Sequence, residues 1–232
     1  MFPLLLLNEL SDMFYPRLCT ACKEPLLAHE HIICLRCRIE LPRTDHGLFH
    51  DNPVAVKFWG KVPIEEAAAM LHFHKGSRVQ SLMHALKYKN RTDVGITLGN
   101  MLGYYCKQYH LFKQITAITA VPLHKERLAV RGYNQSAVIG EGLAEVLQVP
   151  FKGEWLERIT PTATQTKKSR LARWDNVKDV FRVTDPDGIA HQHILLIDDV
   201  ITTGSTLEAC ALKLIQSVGV KVSIAAIAFA DR

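Results

Sequence analysis

The stretch ILLIDDVITTGSTL, residues 194–207, contains an apolar run, two carboxylates and a loop of hydroxyls and glycine, in that order. The four apolar residues predict a buried central strand that places Asp198 and Asp199 at its carboxyl end. A helix is predicted to follow, because apolar residues recur at helical spacing over residues 206–218. The stretch therefore indicates an α/β fold whose strand and helix meet at this loop.

The loop from Thr202 to Thr206 has the chemistry of an anion site. The N-terminus of the following helix presents free backbone N–H groups and the positive end of the helix dipole, and both favour a phosphate. Gly204 allows the backbone to turn closely around such a group. Further donors come from the hydroxyl groups of Thr202, Thr203, Ser205 and Thr206. Open parallel sheets bind their ligands at this end of the strands.

Asp198 and Asp199 would repel a phosphate bound beside them, so they need another partner. A vicinal diol fits, because each carboxylate accepts a hydrogen bond from a hydroxyl group. A phosphate next to a diol describes ribose 5-phosphate.

Other interpretations of the stretch are weaker. Receiver domains also place paired aspartates after an apolar strand, but only 33 residues follow Asp199, too few for the rest of such a domain. A P-loop is excluded because the sequence has no GxxxxGK[ST] motif. A dinucleotide-binding turn is excluded because it would follow a strand, whereas the glycines at 140 and 142 lie within a predicted helix. A solvated turn with a helix cap would explain each of these residues singly, but not their combination of two aspartates followed by a loop of hydroxyl residues and glycine.

The rest of the chain alternates between predicted strands and helices, which favours a parallel sheet covered on both faces. Strands are predicted at 67–74, 115–121, 180–183, 193–197 and 220–229. Helices are predicted at 79–86, 94–105, 134–147 with Asn134 as N-cap, and 206–218. Residues 42–60 read as a linker packed on the main body.

Four of the six cysteines form two CxxC pairs separated by eleven residues: Cys19, Cys22, Cys34 and Cys37. Two such pairs place four thiolates around a tetrahedral Zn²⁺, so we expect a structural zinc site with no open position for a substrate. Disulfides are the alternative, and they are disfavoured in a reducing compartment. Cys106 and Cys210 are predicted to be small core residues.

Composition is that of a globular chain: 232 residues, 48% hydrophobic and 22% charged. This length allows one domain and a small appendage. No apolar run reaches 18 residues, so no membrane insertion is expected. The start, MFPLLLLNELSDMF, has no basic residue before its apolar run and suits a short amphipathic helix better than a signal peptide. We expect a cytoplasmic protein.

The net charge of +5 favours anionic ligands without diagnosing nucleic acid. Two groups of basic residues account for the excess of positive charge. The first comprises Arg158, Lys167, Lys168, Arg170, Arg173, Lys178 and Arg182; the second comprises His124, Lys125, Arg127 and Arg131.

The chain resembles the ComF/GntX family (competence protein F-like proteins), which joins a four-cysteine zinc module to a type I phosphoribosyltransferase domain. The 198–206 loop is similar to the motif by which that domain class binds phosphoribosyl pyrophosphate (PRPP). The other matching segments are the two CxxC pairs, Leu86-Lys87-Tyr88, Val121–Gln135, and Thr164-Gln165 with Arg173–Val177. Together they span roughly residues 16–230.

The resemblance implies roles for particular residues. Asp198 and Asp199 would bind the ribose hydroxyls, Thr202–Thr206 the 5′-phosphate, and Val121–Arg131 would form a pyrophosphate loop. The PRPP-binding set would be Leu123, His124, Asp198, Asp199, Val200, Thr202, Thr203, Gly204, Ser205 and Thr206. The catalytic set would be Asp198, Asp199, Arg127 and Arg131. Thr164–Asn176 would be a mobile loop over the site, with Gln165, Lys167, Arg173 and Asn176. Mg²⁺ would accompany the pyrophosphate.

The resemblance also implies the domain division and two functions. Residues 1–42 would hold an N-terminal helix and the zinc module, 43–62 a linker, and 63–232 the phosphoribosyltransferase-like domain. One function is a PRPP-binding factor of DNA uptake or utilisation, with single-stranded DNA and a helicase-like competence protein as partners. The other is a salvage transferase that displaces pyrophosphate with a nitrogen nucleophile. The acceptor cannot be identified from the residues.

Overall fold

A four-stranded parallel sheet forms the centre of the protein, with strand order β1-β6-β5-β2. The structure is a computed structural model that describes residues 16–159 and 180–230. Its strands are β1 (Ala67–His72), β2 (Ala117–Ala120), β3 (Leu156–Arg158), β4 (Phe181–Val183), β5 (His193–Ile201) and β6 (Lys221–Phe229). Its α-helices are α1 (Leu35–Glu40), α2 (Pro53–Val56), α3 (Arg78–Tyr88), α4 (Thr92–Gln108), α5 (Lys125–Arg131), α6 (Gln135–Leu147) and α7 (Ser205–Ile215).

Both faces of the sheet are covered, as the alternation of strands and helices predicts. On one face, Leu195 and Ile197 of β5 pack in a core formed by α3, α4 and α6. On the other face, Ile194 and Leu196 pack with α2, α7 and the β3–β4 hairpin. Successive residues of β5 therefore serve opposite cores, which explains why the strand is apolar without alternation. The α/β class and the parallel sheet flanked by helices are confirmed.

Helices α4 and α6 approach each other closely through glycine. A Cβ atom added at Gly99 would lie 2.1 Å from the carbonyl oxygen of Ile139, and one at Gly142 would lie 2.4 Å from that of Ile96. Only glycine leaves room for this contact between two backbones. The contact fixes the position of α6, whose first turn reaches the end of β5.

Strand β5 is longer than the predicted strand over 193–197. It continues through both aspartates to Ile201, and it pairs Asp198 with Ala226 and Val200 with Ala228 of β6. Asp198 and Asp199 therefore lie in the last paired residues of β5 rather than in a loop.

Two further predictions need correction. Val121–Arg131 was expected to be a loop, but only residues 121–124 are; Lys125–Arg131 form α5, which ends at Gly132 in the left-handed conformation. The strand predicted at 180–183 exists as β4, but it pairs antiparallel with β3 outside the central sheet. Neither β3 nor this hairpin was predicted.

The linker and the cysteine segment both pack on the main body. Thr44 N–H donates to Met70 O at 2.9 Å, and the Asn52 side chain donates to Ala67 O at 2.8 Å, so the linker is tied to β1. Cys19, Cys37 and other buried residues of the cysteine segment belong to the same apolar core as α3 and α4. No helix in the described ranges has the length and apolar character needed to cross a bilayer.

Candidate functional site

A cavity of about 510 Å³ opens at the carboxyl ends of the neighbouring strands β5 and β2. Residues of helix α3 form a further wall of the cavity, and α5 and the first turn of α6 complete it. The residues that line it are Phe73, Gln80, Met83, His84, Lys87, Tyr88, Val121, Pro122, Leu123, Arg127, Arg131, Gln135, Ser136, Arg158, Asp198, Asp199, Val200, Thr202 and Thr206.

The acid pair is held in place by hydrogen bonds at the end of β5. Asp198 Oδ1 accepts from the Asp199 N–H and from the Ser136 hydroxyl, both at 2.9 Å. Asp199 Oδ1 accepts from the Val200 N–H at 2.7 Å. Ser136 reaches Asp198 because Asn134 caps α6 and also donates to Val121 O at the end of β2, at 2.9 Å. These bonds fix the direction of both carboxylates without ligand.

The two carboxylates have different electrostatic environments. Burial, and next the charge of Asp199, raise the pKa of Asp198 to about 7, against the opposing effects of the Asp199 N–H, the Ser136 hydroxyl and Lys87. Asp199 is 5% exposed and forms an ion pair with Lys87, whose Nζ lies 2.5 Å from its Oδ2. One member of the pair therefore has a cationic partner, and the other titrates near neutral pH.

The hydroxyl-rich loop is open to solvent. Thr202, Thr203, Ser205 and Thr206 are exposed, and Gly204 adopts φ +79° as the N-cap of α7. Phe58 packs against one side of Gly204, where an added Cβ would lie 3.3 Å from its ring. The amides of Thr206 and Leu207 lie in the first turn of α7, where no intrahelical acceptor exists. The loop can thus present amides and hydroxyls to an anion.

Three arginines also line the cavity. Arg127 and Arg131 come from α5, and Arg158 ends β3. Arg131 donates to Gln135 Oε1 at 2.8 Å and lies 5.5 Å from the centre of the Tyr88 ring. Burial, and next the charge of Arg127, lower the pKa of Arg158. Cationic groups this close together favour a ligand with several negative charges.

The cavity brings together eight of the twelve predicted ligand-site residues that the structure describes. Those that line it are Leu123, Arg127, Arg131, Asp198, Asp199, Val200, Thr202 and Thr206. Thr203, Gly204, Ser205 and His124 stand outside the described lining. His124 instead caps α5, where its Nδ1 accepts from the Glu126 N–H at 3.3 Å. The mobile-loop residues Gln165, Lys167, Arg173 and Asn176 fall outside the described residues.

Sequence reasoning assigned no role to the α3 wall. Gln80, Met83, His84, Lys87 and Tyr88 follow helical spacing, so one face of α3 lines the cavity over two turns. Only the match of Leu86-Lys87-Tyr88 to the family pointed to this face. Ser136 was also missed, although it follows the matching segment that ends at Gln135.

The four predicted metal ligands cluster. The Sγ atoms of Cys19, Cys22, Cys34 and Cys37 all lie within 4.8 Å of one another, and those of Cys22 and Cys34 are 3.8 Å apart. Four bonds of about 2.3 Å to a tetrahedral Zn²⁺ separate sulfurs by about 3.8 Å, so the donor set and spacing fit this ion.

Backbone amides also favour a thiolate in this cluster. Burial raises the pKa of Cys19, but the amides of Cys22, Cys34 and Ala21 outweigh it and lower the value to about 7. Burial raises the pKa values of Cys34 and Cys37, so Cys19 is the member of the cluster whose surroundings favour the deprotonated thiol that metal ligation requires.

Comparison with known proteins identifies relatives along nearly the whole chain. DNA utilization protein YhgH of Escherichia coli is 27% identical over 220 residues, which cover 90% of this chain and 95% of that protein. Competence protein F of Haemophilus influenzae is 33% identical over 144 residues, which cover 60% of this chain and 62% of that protein. The chain is a homologue of both. The resemblance to the ComF family is thereby confirmed; no family model matches the chain.

Solved structures with similarity include two phosphoribosyl enzymes. Adenine phosphoribosyltransferase from Saccharomyces cerevisiae is 14% identical, with a TM-score of 0.39 over 62% of this chain and 72% of that one. The glutamine PRPP amidotransferase from B. subtilis is 16% identical, with a TM-score of 0.42 over 62% of this chain. The chain spans 30% of the amidotransferase's length.

Proposed function

We propose that this protein binds PRPP and acts in DNA uptake or DNA utilisation. The observation that carries the binding proposal is the meeting, in one cavity, of an acid pair, a hydroxyl-rich helix N-terminus and three arginines. The biological role rests on the relatives, which are named for DNA utilization and competence.

Each part of PRPP has a partner of matching chemistry in the cavity. Asp198 and Asp199 would accept hydrogen bonds from the ribose diol, and Thr202–Thr206 with the first amides of α7 would hold the 5′-phosphate. Arg127 and Arg131 would face the pyrophosphate, and Arg158 lines the same cavity. Mg²⁺ would lie on the pyrophosphate, held mainly by ligand oxygens and water.

PRPP with Mg²⁺ is expected to stabilise the protein against heat. A ligand at a hundredfold excess over its Kd adds about 2.7 kcal/mol, which raises the Tm of a chain of this size by roughly 5–11 °C. The measurement is differential scanning calorimetry with titration calorimetry. The double variant Asp198→Asn, Asp199→Asn should fold and lose the shift, whereas Asp187→Asn, an exposed aspartate outside the cavity lining, should keep it. No shift for the wild-type protein at millimolar PRPP would refute the assignment.

Contact with single-stranded DNA is the second part of the proposal. Lys125 and Arg127 are exposed on α5, and the sequence adds the basic segment 158–182. Such groups bind phosphates without base specificity, and the affinity falls with salt. We expect weak, salt-sensitive binding of an oligonucleotide that survives Asp199→Asn; binding that disappears with this change would place the DNA in the PRPP cavity instead. A helicase-like competence protein is the proposed protein partner.

A phosphoribosyltransferase activity is the second candidate function, and the α3 wall favours it. Phe73, Met83 and Tyr88 offer apolar and aromatic surface beside the amide of Gln80 and the imidazole of His84. A few polar groups on an apolar wall are typical of sites for flat heterocycles. In this reaction the nitrogen nucleophile would displace pyrophosphate from the ribose anomeric carbon, with Arg127 and Arg131 stabilising the departing negative charge.

Pyrophosphate release from PRPP with one base or amine would establish this activity. Tyr88→Ala should then raise the KM for that acceptor about 5–150-fold, the range that corresponds to a lost stacking contact of about 1–3 kcal/mol. Tyr104 is the matched control, because Tyr88 and Tyr104 are both 66% exposed and Tyr104 lies outside the cavity lining. If no acceptor in a panel of bases and amines releases pyrophosphate, the protein binds PRPP without turnover.

The remaining assignments are proposals of the same kind. We take the four-cysteine cluster as a structural Zn²⁺ site, residues 1–42, 43–62 and 63–232 as module, linker and phosphoribosyltransferase-like domain, and the cytoplasm as the location.

A further inference from the structure

The ammonium group of Lys87 occupies the position where a ligand hydroxyl would meet Asp199. Its Nζ lies 2.5 Å from Asp199 Oδ2, and that oxygen is enclosed, with less than 1 Å² exposed to solvent. The other oxygen, Oδ1, already accepts from the Val200 N–H. A diol cannot reach Oδ2 until Lys87 moves, so the lysine and the sugar compete for one atom.

Lys87 is able to move within the cavity. It extends from the second-last residue of α3, its side chain is 25% exposed, and its stem contains several rotatable bonds. The same cavity is lined by Arg127 and Arg131, where the proposed pyrophosphate would lie. A displaced ammonium group would therefore find phosphoryl oxygens, provided that the ligand carries them.

We propose that Lys87 is a specificity-determining residue that leaves Asp199 when the diol arrives and pairs with the pyrophosphate of the ligand. The inference rests on the proposed function and adds a selection rule to it. PRPP supplies both a diol and a new anionic partner for the lysine. Ribose 5-phosphate supplies the diol and a 5′-phosphate for the Thr202–Thr206 loop but no pyrophosphate, so its binding leaves Lys87 without a partner, which costs free energy. Lys87 thereby selects pyrophosphorylated sugars.

The test compares the Kd of PRPP and of ribose 5-phosphate, each with Mg²⁺, by titration calorimetry on the full chain. Lys87→Met removes both the competitor for Asp199 and the new contact with pyrophosphate. We expect PRPP to bind about 10–100-fold more weakly, the range of a lost hydrogen bond to a charged group, and ribose 5-phosphate to bind as well as or better than to the wild type. The ratio of the two Kd values should therefore fall at least about tenfold.

Two variants guard against trivial results. Lys87→Gln is neutral but still able to donate to Asp199, so it should fold even if the unpaired carboxylate of Lys87→Met destabilises the protein, and it should also lose selectivity. Lys89→Met removes an exposed lysine two residues away, outside the cavity lining, and should leave both Kd values unchanged.

The outcomes separate the two proposals. A wild-type protein that fails to bind PRPP overturns the proposed function. A wild type that binds PRPP, with Lys87→Met and Lys87→Gln variants whose Kd ratio equals that of the wild type, overturns the role of Lys87 alone. If both ligands bind more weakly by the same factor, the role of Lys87 in specificity is also overturned, because the lysine then has a purely structural effect.

Discussion

Asp198 lines the cavity in an environment that is unfavourable for its charge. Its pKa of about 7 exceeds the ordinary value of 3.8, because burial and the Asp199 charge outweigh the groups that stabilise the carboxylate. Between these two pH values, the folded protein holds a proton that the unfolded chain has lost. The free energy of unfolding therefore falls as pH rises through this window. Such a cost is typical of sites built to bind a ligand.

Asp198→Asn should remove this cost. Asparagine keeps an oxygen that can accept from Ser136 and from the Asp199 N–H, and it carries no charge. At pH 8.5 the variant should melt a few degrees above the wild type, since about 1 kcal/mol shifts Tm by about 2–4 °C at this size. At pH 5 the wild-type carboxyl is largely protonated, so the two should melt together. Melting curves at both pH values, without ligand, provide the measurement; a difference that is the same at both would exclude the charge as its cause.

The same carboxyl predicts a pH dependence of binding. A carboxylate accepts hydrogen bonds from both diol oxygens more readily than a protonated acid does, so PRPP affinity should increase from pH 6 to pH 8 as Asp198 loses its proton. Titration calorimetry across this range tests it. Asp198→Asn is expected to bind more weakly and with a flatter profile, after the titration of the ligand's own phosphates has been subtracted using PRPP in buffer without protein.

Individual side chains differ in how far the sequence could predict them. Asp198 and Asp199 were predicted, because the apolar run before them and the loop after them are local signals. Lys87 lies 112 residues before Asp199, and nothing in its helical pattern distinguishes it from an exposed lysine. Its role depends on where α3 packs.

Among the helices, α4 and α6 carry the tightest constraint. The pattern of α4 predicted a helix, and the structure extends it to Thr92–Gln108. Helix α4 meets α6 through glycine, which has no side chain and therefore adds nothing to a hydrophobic periodicity. Its role is to let the two backbones approach each other. The close approach was therefore invisible in the sequence.

Gly99→Ala should destabilise the protein in spite of the better helix propensity of alanine. The new Cβ would clash with the backbone of α6, and overpacking of this kind costs about 1–3 kcal/mol. Thermal unfolding should show a Tm about 2–12 °C lower. Lys107→Ala, at an exposed position of the same helix, should melt within about a degree of the wild type. An unchanged Tm for Gly99→Ala would mean that α4 and α6 separate easily.

Helix α5 illustrates the opposite error. The segment was read as a loop because of its resemblance to a pyrophosphate loop, although His124 is able to cap a helix and Gly132 to end one. The helix directs Arg127 and Arg131 towards the cavity at positions four residues apart, one turn on the same face. Both predicted arginines line the cavity, but the backbone that presents them is a helix and not the expected loop.

At the scale of the whole molecule, the cysteine segment packs into the same apolar core as the main body. Cys19, Ile33 and Leu41 are buried in the same apolar cluster as Met70 and Leu71 of β1. Loss of the proposed zinc should therefore weaken the main body as well as the cysteine segment.

Metal removal tests this continuity. Purified, reduced protein should contain about one zinc per chain. Cys37→Ser should lose the metal and destabilise the chain by about 4 kcal/mol or more, since loss of a bound metal is among the largest effects of point mutations. Cys106→Ala is the control, because it removes a buried thiol that lies outside the four-cysteine cluster. This variant should keep its zinc. A metal-free wild type, or Cys37→Ser with undiminished zinc, would contradict the assignment.

The sequence by itself determined the α/β class, most strands and helices, the grouping of four cysteines, and the residue types of the loop after β5. These depend on local periodicity, helix ends and short spacings, which neighbouring residues encode. Only the tertiary structure decided the order β1-β6-β5-β2, the α3 wall, the Ser136 bond to Asp198 and the ion pair of Lys87 with Asp199. Those contacts join residues far apart along the chain, so they follow from how helices pack on the sheet and not from any local pattern.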